Sequence, residues 1–183
     1  MTETSSKTAD IVATRNGTTD EVLDLFDDLE PVDVAFMMGR WRGYEITTGH
    51  PQDGILEVTR WYGKEFEDAE TVHPLLHQNA RGDLFRVRPR PTLVYLSLRL
   101  PILKSKALRP LALLMTALLR TRQSQARLRM VEYRGKVSAT MIYDSLPIND
   151  HFHRIDENTV LGLMDFKGIA SPFPFVLERT DIR

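Results

Sequence analysis

The 183-residue chain has no cysteine. That absence excludes a disulfide scaffold, a thiolate zinc or iron–sulfur site and a cysteine nucleophile, and it suits a reducing compartment. Long apolar runs are missing as well. The most apolar stretch, Pro110–Leu119, is ten residues without charge, about half of a membrane span. Met1 to Asp10 is polar and lacks the apolar centre of a secretory signal, so a cytoplasmic address is expected. No Walker A loop, Rossmann GxGxxG, GxSxG elbow or HExxH pair occurs, which removes the usual sequence signals of nucleotide, serine-hydrolase and zinc-protease chemistry. What is present is an ordinary globular composition, 42% hydrophobic and 27% charged, in a length that supplies one core without staples.

Carboxylates are absent from residues 84–131, a segment that carries 11 Lys and Arg. Residues 1–83 hold 17 acids against 7 bases, and residues 132–183 hold 8 against 6, so the net charge of −1 hides strong blocks. The basic block can face an anionic membrane, an acidic partner or the acidic first third of its own chain. Nucleic acid is not expected, because only Phe85 and Tyr95 interleave the basic residues.

Met1 to Gly17 is polar and aperiodic and reads as a flexible tail, with residues 18–183 as a single domain. Asp20–Glu30 has helical spacing, with Thr18 or Thr19 as cap and Pro31 as stop. Val32–Met38 reads as a short helix or turn. Gly39–Thr47 reads as a strand with Trp41 on one face and Arg40 and Arg42 on the other. Gly49–His50–Pro51 makes a turn. Ile55–Phe66 is spaced for an amphipathic helix, although its aromatic and β-branched content permits a strand. Thr71–Gln78 and Leu84–Val87 read as short strands, and Leu108–Leu119 as a helix with Pro110 in its first turn. That helix, apolar all round with cationic flanks, is either buried or in contact with lipid, and burial is the favoured reading. Arg127–Arg134, Lys136–Tyr143, His151–Ile155, Thr159–Asp165 and Phe173–Arg179 are short strand-like runs between turn residues. In Lys136–Tyr143, period-two alternation marks a half-buried antiparallel strand.

Gly39–Arg40–Trp41–Arg42–Gly43 carries a GxWxG signature and resembles the GXWXG family of bacterial proteins, which pair this segment with a C-terminal domain of unknown function. The resemblance continues through Thr48–Pro51, Trp61–Lys64, His73–Leu75, Arg129–Gly135, Tyr143–Asp144, Pro147–Asp150, Gly162–Gly168 and Phe175–Arg179. The motif is also similar to the first strand of the calycins, the lipocalin and fatty-acid-binding barrels. That similarity implies an α+β fold: an antiparallel calycin-like β-barrel with an N-terminal helix and a helical insertion. The GxWxG part spans about residues 30–90, a basic helical segment about 91–126 and C-terminal strands about 127–180. It implies structural roles for Trp41 and Arg179, the latter laid across the indole. Nitrobindins extend the pattern to GxWxGxG and hold haem, but Glu45 stands at the third glycine here. No cofactor is therefore predicted, and haem or a metal ion is a secondary reading.

Three functions follow as expectations. The first is a binding or carrier protein for a small apolar or amphipathic ligand, with His50, Trp61, His73 and Tyr143 as ligand-binding candidates. The second is a small cofactor-independent enzyme, an isomerase, cyclase or hydratase, with Asp144, Asp150 and His153 as catalytic acid–base residues. A carboxylate buried beside His or Tyr acquires a raised pKa and can serve as a general base. The third is an interaction protein that docks an acidic partner or membrane surface through residues 84–131. The spacings His73/His77 and His151/His153 suit one face of a helix or strand, but Pro74 opposes a helix at His73 and no metal site is predicted.

Overall fold

Two apolar faces on the same strands organise this molecule. A computed structural model describes residues 10–100 and 105–180. Its elements are α1 (Thr19–Asp28), β1 (Glu30–Pro31), β2 (Gly39–Glu45), α2 (Ile55–Val58), β3 (Trp61–Phe66), β4 (Val72–Gln78), β5 (Leu84–Arg86), α3 (Pro91–Arg99), α4 (Arg109–Leu118), β6 (Ala126–Tyr133), β7 (Lys136–Tyr143), β8 (Ile148–Arg154), β9 (Thr159–Phe166) and β10 (Phe173–Arg179). Strands run β8-β7-β6-β4-β3-β2-β10-β9, and β9 pairs again with β8, so eight strands close an antiparallel ring. The fold is α+β and barrel-like.

Strands β9 and β10 read as nearly continuous apolar runs because both of their faces are covered. Val160, Phe175 and Leu177 point into the ring with Trp41, Phe66 and Phe152. Leu161, Leu163 and Val176 point outward and meet Val22, Leu25 and Phe26 of α1. Helix α1 starts where the sequence expects it: Thr18 accepts from the Glu21 N–H while Glu21 reaches back to the Thr18 N–H, a reciprocal capping box.

The floor of the ring is built on the GxWxG strand. Trp41 is fully buried and donates its indole N–H to the Met37 carbonyl at 2.8 Å. Arg179, its register partner on β10, lies over the indole with Cζ 4.2 Å from the ring centroid. Its guanidinium also donates to the Phe36 and Met38 carbonyls at 2.7 and 2.6 Å, tying the turn before β2 to the last strand.

Several elements differ from the sequence reading. Residues 10–17, assigned to the tail, include a helical turn at 10–14; Ile11 is buried against the α1 cluster and Asn16 bridges to Thr47. Residues 1–9 lie outside the described residues. The Ile55–Phe66 segment is not one helix: α2 ends at Val58, Arg60 takes a positive φ of 54°, and β3 follows. Within the segment of about 91–126 expected to be helical, residues 91–99 form α3, a helix not singled out there; Pro91 sits in its first turn, where the missing N–H costs nothing. Among the residues of α4 only Thr116 is buried, so burial of that helix is corrected. It lies across an opening of the sheet rather than inside a filled core. That opening is at β4–β6, which share one register pair, Val72–Ala126. Beyond it β4 pairs with β5 instead, and the described residues 87–100 and 105–119, with α3 and α4, arch over the gap. Among the described residues, no helix is long and apolar enough to cross a membrane.

Candidate functional site

Beneath that arch lies a cavity of about 430 Å³, open to one side. Its wall comes from three distant stretches: α2 with β3 and β4, the insertion carrying α3 and α4, and the inward faces of β7, β8, β9 and β10. Leucine, valine, methionine and aromatic side chains make most of it. Arg88 and Arg90 belong to the insertion side, and Lys64, Tyr143 and Asp150 to the barrel side.

The second glycine of GxWxG makes room for the barrel-side wall. A Cβ on Gly43 would fall 2.3 Å from two indole carbons of Trp61 and 2.9 Å from Leu177, so only glycine lets the Trp61 ring lie flat on β2. Trp61 then packs edge-on against Phe175, and its N–H points to the Pro74 carbonyl at 3.3 Å. Glu45, at the position of the third glycine in the longer motif, accepts the Gly54 N–H at 2.6 Å and so holds the start of α2.

At this end sits an ion pair removed from solvent. Lys64 Nζ lies 2.7 Å from Asp150 Oδ2, with the side chains 3% and 1% exposed. The ammonium also lies 4.9–5.8 Å from the ring centroids of Phe175, Trp61 and Tyr143, within cation–π range. Burial pushes the Asp150 carboxyl above its ordinary value, against the opposing pull of Lys64. Burial, with a further push from Asp150, raises the Tyr143 phenol well above 10. His77 adds a neutral group to the wall. Its Nδ1 is 2.7 Å from the Thr59 carbonyl and donates to it, which leaves Nε2 with a lone pair. Burial pushes its pKa down to about 4.

The structure brings Trp61, Tyr143 and Asp150 together and distributes the other candidates elsewhere. Asp144 is exposed on the β7–β8 turn. His153 lies on the outer face of β8, donating to the Phe26 carbonyl at 2.6 Å and stacked on the Phe26 ring, so it fastens α1 to the barrel. His50 is buried beside Phe173 and accepts the Gln52 N–H, outside the cavity lining. His73 lies on the opposite face of β4 from Val72, near Glu65 and Glu67. Those three could offer ligand atoms within 4.8 Å of one another. However, Arg86 already bonds both carboxylates, and Arg40 also bonds Glu65. Despite burial, these bonds hold Glu65 below the ordinary carboxylate range. The two carboxylates are thus engaged by arginine, while His73 approaches Glu67 at 3.4 Å and neither of its ring nitrogens has a hydrogen-bond partner among the described residues.

Lys64 and His77 are site residues that the sequence reading left out. Position 64 shares a strand face with Phe66, whose place is the core, and this alternation was a usable signal. His77 was harder to place. Register slips between β3 and β4 reverse the alternation, so His77 faces the cavity while His73 faces out.

Comparison with known families matches residues 24–82 to the GXWXG protein model and residues 124–179 to a domain of unknown function, DUF4334. No curated protein matches the chain. A crystal structure of a protein from Thermomonospora curvata is similar at 33% identity and a TM-score of 0.73, covering 98% of this chain and 99% of that one. The two matched segments meet edge to edge at β2–β10 and β4–β6, and the chain belongs to the GXWXG family.

Proposed function

We propose that this protein binds and carries a small apolar or amphipathic molecule inside the barrel. The observation that carries this reading is the cavity itself, about 430 Å³ with a mainly apolar wall, within the size range of small-molecule sites. The helical arch supports a portal. Helix α3 has no buried residue and α4 has one, which places the arch among the least stable parts of the fold.

The outer face of the same arch supports contact with an anionic membrane surface. Leu114 and Leu118 of α4 are 56% and 71% exposed and fall on one helical face, with Leu111, 51% exposed, between that face and the cavity lining. Arg90, Arg99, Arg120 and Arg122 of the same segment are exposed, and the segment holds no carboxylate. Exposed apolar side chains in a segment rich in exposed arginine suit an interface with anionic headgroups. Native mass spectrometry of protein purified without detergent, repeated after denaturation, tests the carrier reading. A bound mass that denaturation releases is the expected result. A bare mass, even with added medium-chain alcohols or acids, would contradict it.

A second reading is favoured by one observation, the raised pKa of a carboxyl group in the cavity wall. A cofactor-independent isomerase, cyclase or hydratase would use Asp150 as base or acid, with Tyr143 and Lys64 beside it. Asp150→Asn would then abolish turnover of a substrate that it still binds. Turnover that survives the substitution would remove this reading.

A further inference from the structure

The polar end of the cavity holds more hydrogen-bonding capacity than the protein uses. Asp150 Oδ1 is buried without a hydrogen-bond partner. Lys64 Nζ has Asp150 Oδ2 at 2.7 Å, a long contact to the Pro74 carbonyl at 3.5 Å, and otherwise aromatic faces. Tyr143, Lys64 and Asp150 all line the cavity. Leaving buried polar groups unpaired is costly, and more so when one is ionised. The polar end therefore presents a carboxylate with an unmet oxygen, flanked by an ammonium donor and a phenol able to donate or accept.

Resting on the carrier reading above, we propose that this pocket selects lipophilic alcohols and rejects lipophilic carboxylates. A ligand hydroxyl is both donor and acceptor. It donates to Asp150 Oδ1 and accepts from the Tyr143 hydroxyl or from Lys64, both through one oxygen. A ketone or ester offers Asp150 nothing to accept, and a hydrocarbon neither donates nor accepts. A carboxylate is worse, because it brings a second negative charge to a place whose buried cation is already paired with Asp150. Arg88 and Arg90 on the insertion side would by themselves favour anionic ligands, so this preference opposes the one suggested by the charge of the mouth. Sites that hydrogen-bond a ligand hydroxyl discriminate strongly against analogues lacking it, since their own groups are then left unpaired.

The test displaces a neutral fluorescent probe, N-phenyl-1-naphthylamine, from the full-length protein at pH 7.5 with a matched pair, 1-decanol and decanoate. Decanol is expected to displace the probe at a concentration at least tenfold below that of decanoate. Asp150→Asn, nearly isosteric and without the negative charge, is expected to shift that ratio at least tenfold toward decanoate. Tyr143→Phe, which loses one oxygen, is expected to weaken decanol several-fold. If Asp150→Asn fails to fold, the wild-type ratio and Tyr143→Phe decide the matter. Decanoate binding as tightly as decanol, or a ratio that Asp150→Asn leaves unchanged, would overturn the selectivity while the carrier reading stands. A probe, alcohol and acid that all fail to bind the wild-type protein would overturn both.

Discussion

Removing one partner of the buried Lys64–Asp150 pair is the most informative change to stability. At 2.7 Å and an effective dielectric near 20, the two charges attract by ~6 kcal/mol. Taking each ion out of water costs several kcal/mol, so the intact pair contributes little net stability. A single substitution removes the attraction but leaves the survivor buried, and Lys64→Met or Asp150→Leu should each cost about 3–5 kcal/mol. The double variant Lys64→Met/Asp150→Leu leaves no buried charge and should recover most of that loss. The pH dependence gives an independent check. Burial already raises the folded Asp150 pKa above its unfolded value, and loss of the ammonium raises it further. The folded state of Lys64→Met then retains a proton that the unfolded chain releases, so its stability rises as pH falls toward the ordinary carboxylate range. Urea unfolding followed by tryptophan fluorescence should show the gap to wild type narrowing from pH 8 to pH 5. Single variants costing under about 1 kcal/mol, or a double variant no more stable than the weaker single, would refute this account of the pair.

Three further expectations test other parts of the structure. Gly43→Ala forces a methyl group to 2.3 Å from the Trp61 indole and should cost about 1–3 kcal/mol; an unchanged thermal midpoint would show that Trp61 does not rest on this strand. His77 and His151 have folded pKa values of about 4, below the unfolded 6.5. Their contribution is complete above pH 6.5 and is lost as pH falls to 4, by up to ~3 kcal/mol each. The urea midpoint should therefore drop across that window, and less so in His77→Gln; a flat midpoint would contradict the burial of these rings. Vesicles containing anionic lipid should co-float with the protein at low salt, and Leu114→Asp/Leu118→Asp should abolish this. Flotation equal on neutral and anionic vesicles would remove the arginines from the argument.

Much of the barrel was legible because strand periodicity is local information. Lys136–Tyr143 is a strand with the bounds expected, although it is not half-buried: Ser138 and Thr140 are as buried as Ala139 and Met141, and Val137 is exposed. The Ile55–Phe66 segment shows where local information ended. Its apolar spacing fits a helix, but Gly63 takes φ +152° directly against the Trp41 carbonyl, a backbone approach set by the neighbouring strand. The site was only partly legible. Asp150 and His153 are three apart in one strand, so period two places them on opposite faces and they do not share a site. The partner of Lys64 was not legible, since nothing nearby in sequence announces a carboxylate 86 positions later. The cavity has no local signature at all. It exists because β4 parts from β6 and an insertion from elsewhere spans the gap.

The central claim is that a ligand occupies the cavity beside Trp61, and heavy-atom quenching tests it most directly. A brominated medium-chain alcohol, 10-bromo-1-decanol, quenches an indole only near contact. The chain has two tryptophans; Trp61 lines the cavity, whereas Trp41 is sealed under Arg179. Titration of the wild-type protein should give saturable quenching at one ligand per chain, and Trp61→Phe should lose most of it. Binding of the alcohol with no quenching, or with quenching that Trp61→Phe leaves intact, would place the ligand somewhere else and contradict the account.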